Sequence, residues 1–154
     1  MSVKDTLQAW DLYDAEIGPH GFRPTMRDYV VRVERIDTPP TGVFDYVFVG
    51  CMELRYTVTL RPEAISLDDR LLDREATGDP DVPQGFVWAV ASASSSEEGV
   101  RLTTTSDRAR HWASQLRVPM HEITIGTNVF DLTLVFHNLH VVPVAAAASG
   151  PHDV

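Results

Sequence analysis

Over Val3–Ile17 the apolar positions Val3, Leu7, Trp10, Leu12, Tyr13 and Ile17 recur at a rough helical spacing, and Gly18-Pro19 stands where a helix would stop. The spacing predicts an N-terminal helix, capped by Ser2 or Asp5, with Gly18–Thr25 as a connector. The period then changes to two. Tyr29–Ile36 reads as a strand, since Tyr29, Val31 and Val33 alternate with Val30, Arg32 and Glu34. After the turn residues Thr38–Gly42, the run Val43–Leu60 divides into two faces. Phe44, Tyr46, Phe48, Met52, Leu54, Tyr56, Val58 and Leu60 form the expected core face, opposite Asp45, Cys51, Glu53 and Arg55. The run is too long for an ordinary strand, and Gly50 is the expected bend or bulge.

Downstream, Glu63–Leu72 suits a short helix, Asp73–Gln84 a surface loop, Phe86–Ala91 a short strand and Ser92–Gly99 a mobile loop. Thr105–Leu116 reads as a helix, with Ser106 as cap and Ala109, Trp112, Ala113 and Leu116 as its apolar stripe. His121–Ile125 and Val129–Val142 form the clearest strand pair, separated by Gly126-Thr127-Asn128. In the second of them Phe130, Leu132, Leu134 and Phe136 alternate with Asp131, Thr133, Val135 and His137, and are expected to pack on Tyr46, Phe48, Met52 and Leu54. The expected fold is therefore α+β: one predominantly antiparallel, strongly twisted sheet of about five or six strands, packed by two or three helices, with a half-barrel as its most curled form. Residues 1–144 make one domain and 145–154 a flexible tail.

Charge narrows the partners. The formal net charge is −9, with 22 acidic against 13 basic side chains, and Lys4 is the only lysine. Nucleic-acid binding needs a basic face to release counterions, and no run supplies one, so nucleic acid is excluded as an expected partner. Cys51 is the only cysteine, which leaves no intramolecular disulfide or thiolate cluster. The charged N-terminus and the absence of a long apolar run predict a cytoplasmic protein without a membrane partner.

Candidate chemistry is sparse. Glu53, Arg55, Asp131 and His137 are the residues that a sheet could gather around an apolar cavity for acid–base work. His137 and His140 do not share a strand face, and His121-Glu122 lacks the second histidine of a helical zinc motif, so no metal and no cofactor is expected. Cys51 beside Gly50 reads as a small buried hydrophobe rather than a nucleophile.

Two functional classes fit. The first is a small acidic protein-binding module, in size and charge similar to immunity or inhibitor proteins that neutralise a basic partner. The alternative is a small pocket-type enzyme or ligand-binding protein of bacterial secondary metabolism, using Glu53, Arg55 and His137. A monomer or a homodimer fits either class, the latter through pairing of edge strands.

Overall fold

A computed structural model describes residues 1–58, 70–71, 87–88 and 93–145. Helix α1 spans Val3–Ala9 and α2 spans Asp107–Leu116. The strands are β1 (Glu16–Phe22), β2 (Tyr29–Arg35), β3 (Gly42–Val49), β4 (Glu53–Val58), β5 (Arg70–Leu71), β6 (Val87–Trp88), β7 (Ala93–Thr103), β8 (His121–Thr127), β9 (Phe130–Phe136) and β10 (Asn138–Pro143). Eight of them run in the antiparallel order β10-β3-β2-β1-β7-β8-β9-β4, while β5 and β6 pair with each other.

The fold class is α+β and antiparallel, but the expected single sheet of five or six strands, curled as far as a half-barrel, is corrected. Two four-stranded antiparallel sheets, β10-β3-β2-β1 and β7-β8-β9-β4, are packed by two helices among the described residues. The division arises at a corner. The predicted strands Val43–Leu60 and Val129–Val142 each break in the middle, the first at Gly50 and the second at His137. Gly50 adopts φ +63°, a conformation that lets the chain turn without a side-chain penalty. The last pair of one sheet is Asn138 with Val49, and the first of the other is Glu53 with Val135. Backbone bonds from Met52 N–H to the Val135 carbonyl (2.8 Å) and from His137 N–H to the Val49 carbonyl (2.9 Å) hold the corner. At the other edge, the pairs Glu16–Ser94 and Ile17–Ala93 join the sheets through β1 and β7.

One core cluster draws on both sheets: Tyr29, Val31, Val33, Phe44, Tyr46 and Phe48 from the first, Ile123, Ile125 and the alternating residues of β9 from the second. Phe48 and Phe136 meet edge to face, with ring centroids 4.9 Å apart. Helix α1 adds Val3 and Leu7 to this cluster, and α2 lays Ala109, Trp112 and Ala113 on Val135, on the outer face of the second sheet.

Four local expectations change. The N-terminal helix ends at Ala9, and Glu16–Phe22, expected to be helix end and connector, is strand β1. Pro19 is accommodated because the register between Ile17 and His20 is irregular, so no ladder hydrogen bond is demanded of a residue without an N–H. Ser92–Gly99, expected as a loop, falls largely within β7, where backbone pairing rather than side-chain pattern defines the strand. Met52, Leu54, Tyr56 and Val58, expected in the core, are 39, 37, 49 and 57% exposed. Within the helix expected at Glu63–Leu72, Arg70–Leu71 is strand, and within the strand expected at Phe86–Ala91, Val87–Trp88 is strand. The rest of both segments, the Asp73–Gln84 loop and the tail after Ala145 lie outside the described residues.

Candidate functional site

Glu53 opens β4, where its carboxylate is held by helix α2. Oε1 accepts a hydrogen bond from the Trp112 indole N–H at 2.8 Å, and Oε2 accepts one from the Arg108 guanidinium. Arg108 and Trp112 stand four residues apart and so share one helix face. The indole bond, and after it the guanidinium, hold the Glu53 carboxyl below the usual glutamate range against the opposing effect of burial. The same helix is anchored at its start by Ser106, whose hydroxyl accepts from Ala109 N–H and donates to Glu122 at 2.6 Å. Glu53 thus clamps a helix to a sheet edge.

Arg55 and Asp131 lie on the same outer sheet face as Glu53, in the pairs Arg55–Thr133 and Thr57–Asp131. Arg55 is exposed, and a groove of about 230 Å³ runs past Glu53, Arg55, Arg108 and Thr133. His137 is elsewhere, at the corner. Its Nδ1 bonds the Pro119 carbonyl at 2.7 Å, and a carbonyl can only accept, so Nδ1 carries the proton. His137 lies six positions beyond Asp131, about 20 Å along extended strand. Glu53, Arg55 and Asp131 share a face, but the groove beside Glu53 and Arg55 is lined by neither Asp131 nor His137.

The structure brings together a different set. On the outer face of the first sheet, Glu16 of β1 stands directly opposite Glu34 of β2. Two carboxylates in this relation repel, by roughly 0.2–1 kcal/mol. Among the described residues neither has an ion-pair or hydrogen-bond partner for its side chain. Arg32, next along that face, is already engaged: its Nε and Nη2 donate to the two oxygens of Asp45 at 2.9 and 3.1 Å. A groove of about 330 Å³ passes between these groups, lined by Glu16, Gly18, Pro19, Arg32, Glu34 and Val43. Gly18 lies against the Arg32 backbone, where a methyl group would stand at van der Waals distance, 3.4 Å from the carbonyl oxygen. Glu34 was legible as an outward strand residue. Glu16 was not, because its strand reads as a helix end.

A second assembly missed from sequence lies where β1, β2, β4 and β9 approach. His20 Nδ1 and the Tyr29 hydroxyl are hydrogen-bonded at 2.5 Å. The His20 ring lies 5.8 Å from Tyr56 and 5.3 Å from Phe130, and Tyr56 stacks on Phe130 at 4.8 Å. Burial lowers the His20 pKa and pushes Tyr29 up to about 12, with Cys51 and Tyr56 adding to the latter. Cys51 is buried, and burial pushes its thiol up to about 12, which leaves it without a thiolate at neutral pH. The assembly is neutral, aromatic packing. His121 likewise has its pKa lowered by burial and then by His137. Among the described residues no group of three or more His, Cys, Asp or Glu side chains could hold a metal ion, and no helix is long and apolar enough to cross a membrane.

The model of the YxiG-like protein family matches residues 2–154. The chain belongs to that family. Comparison with curated proteins gives no match. Among the described residues, the Glu16/Glu34 pair is a close pair of like charges with no ion-pair partner.

Proposed function

We propose that the protein is a small acidic protein-binding module that receives a cationic side chain, arginine or lysine, of a basic partner in the Glu16/Glu34 groove. The observation that carries this reading is the pairing of the two glutamates, which among the described residues have no counter-charge. An incoming guanidinium would relieve their repulsion and gain charge-assisted hydrogen bonds, favourable at binding but missing from the free protein. The net charge of −9 acts in the same direction by steering a basic partner toward the molecule. An immunity- or inhibitor-type role, in which the module neutralises such a partner in the cytoplasm, is the form of this function that fits both charge and size. The enzyme reading draws less support, since its chosen residues do not converge and Glu53 is committed to helix α2.

The test is calorimetric titration with an arginine-rich peptide at several salt concentrations, for the wild type and the double variant Glu16→Gln/Glu34→Gln. Binding should weaken with salt and fall at least about tenfold in the variant, since each lost charge-assisted bond is worth about 1.5–3 kcal/mol. Equal affinity in the two proteins would remove the groove from the proposal.

A further inference from the structure

Arg35, at the end of β2, continues the inward-facing series Tyr29, Val31 and Val33 and is only 3% exposed. Among the described residues the groups it bonds are neutral. Nη1 donates to the Tyr46 hydroxyl at 3.5 Å and Nη2 to the Pro39 carbonyl at 3.3 Å, both long. The Trp10 ring lies over the guanidinium, 5.2 Å from its centroid. Burial raises the Tyr46 pKa, so that hydroxyl is no anion at neutral pH, and it donates its own proton to the Trp10 carbonyl at 3.0 Å. Nε is buried with no hydrogen-bond partner. Among the described residues no carboxylate pairs with Arg35; Asp11, close enough to influence Tyr46, accepts instead from the Tyr13 N–H at 3.1 Å.

Three residues earlier, Arg32 shows what such a group ordinarily does. It presents its Nε/Nη2 edge to both oxygens of Asp45 and remains half exposed, with 46% of its side chain accessible. Arg35 is buried, and among the described residues its equivalent edge has no anion. A guanidinium does not escape burial by losing its proton, and an unpaired buried charge is destabilising by several kcal/mol.

We propose that Arg35 is the anchor of a carboxylate-binding site, in which a planar carboxylate takes the Nε/Nη2 edge beneath Trp10 and displaces the weak contact to Pro39. The carboxylate would reach Arg35 past the adjoining turn 36–41, every residue of which is exposed. This site faces the opposite side of β2 from Glu34 and is independent of the glutamate groove. The carboxylate is supplied either by a free small acid or by the C-terminus of a partner chain.

The test is a titration of the full chain with sodium acetate, replacing chloride at constant ionic strength, followed by ¹⁵N NMR of the arginine Nε–H signals and by thermal unfolding. Expected is a saturable shift of the Arg35 signal, assigned by its loss in Arg35→Met, while Arg32 is unmoved. Stability should rise with acetate, by about 100-fold in the folding equilibrium at one hundred times Kd. Arg35→Lys, which keeps the charge and loses the planar fork, should bind acetate at least about tenfold more weakly. That variant carries the test if Arg35→Met does not fold. A peptide with a free C-terminus binding more tightly than acetate, and losing that advantage when amidated, assigns the chain-terminus source; equal weak binding of both peptides with retained acetate binding assigns the small acid. An Arg35 signal that does not saturate, or equal acetate stabilisation of wild type and Arg35→Lys, would overturn the site.

Discussion

Strands β3 and β4 have the same alternating sequence pattern on either side of Gly50, and their apolar faces meet opposite fates. In β3, Tyr46 and Phe48 are fully buried, between β2 and β10 and against Phe136 of the other sheet. In β4, Tyr56 and Val58 are 49 and 57% exposed. The difference is position. β3 is flanked on both sides, whereas β4 ends the strand order and has only β9 beside it among the described residues. A period of two says which residues share a face, and the number of neighbours says how much that face is worth.

Large-to-small substitutions break the comparison most directly. Phe48→Ala should lower unfolding free energy by about 3–5 kcal/mol, through lost transfer energy and a residual cavity. Tyr56→Ala should lower it by about 1–2 kcal/mol, because half of that side chain already meets water. Urea denaturation of the two variants compares them, and equal losses would mean that β4 is as deeply packed as β3. At the bend, Gly50→Ala would place a methyl group 3.3 Å from His137 Cβ and force φ +63° on an L-residue. The expected loss is about 1–2 kcal/mol, from backbone strain.

Glu53 sharpens the comparison at its other end, since the clamp to α2 supports β4 where packing is thin. Glu53→Gln should destabilise by about 1 kcal/mol at neutral pH, discounted from a buried charge-assisted bond because the pair is partly exposed. The sign of the pH dependence follows from the lowered Glu53 pKa. With the folded pKa below the unfolded one, the stabilisation is fully present above the ordinary glutamate value and is lost as pH falls through the folded value. The stability gap between wild type and Glu53→Gln should therefore close on acidification, as read by denaturation at a series of pH values. A gap constant down to the acid limit would assign the effect to packing. The smallest effect belongs to the first sheet: Glu16→Gln or Glu34→Gln alone should stabilise by about 0.2–1 kcal/mol, visible as a small rise in Tm.

Much of the architecture was legible because it is local. Ser106 caps α2 as its position before an apolar stripe implies, β2 occupies nearly its expected span, and β9 buries Phe130, Leu132, Leu134 and Phe136 as their alternation requires. Strands β1 and β7 were not legible. Gly18-Pro19 resembles a helix stop, and the small, polar run 93–98 carries no alternation, yet both segments pair by backbone groups that every sequence contains. Candidate chemistry was less legible still. Glu53 was singled out for acid–base work, and its bonds to Arg108 and Trp112, 55 and 59 residues away in sequence, could not be read from its own strand.

By itself the sequence determined the antiparallel α+β character, the two inward-facing series of β3 and β9, the bend at Gly50 and the strong negative charge, all of which depend on residue type and near neighbours. Only the tertiary structure decided that the long strands break into two sheets, that Glu16 faces Glu34 and that, among the described residues, β4 lies at an edge and Arg35 is buried without an anion. Each of these is set by which distant segments meet. Burial and electrostatic pairing are properties of that meeting and are written in no single segment of the chain.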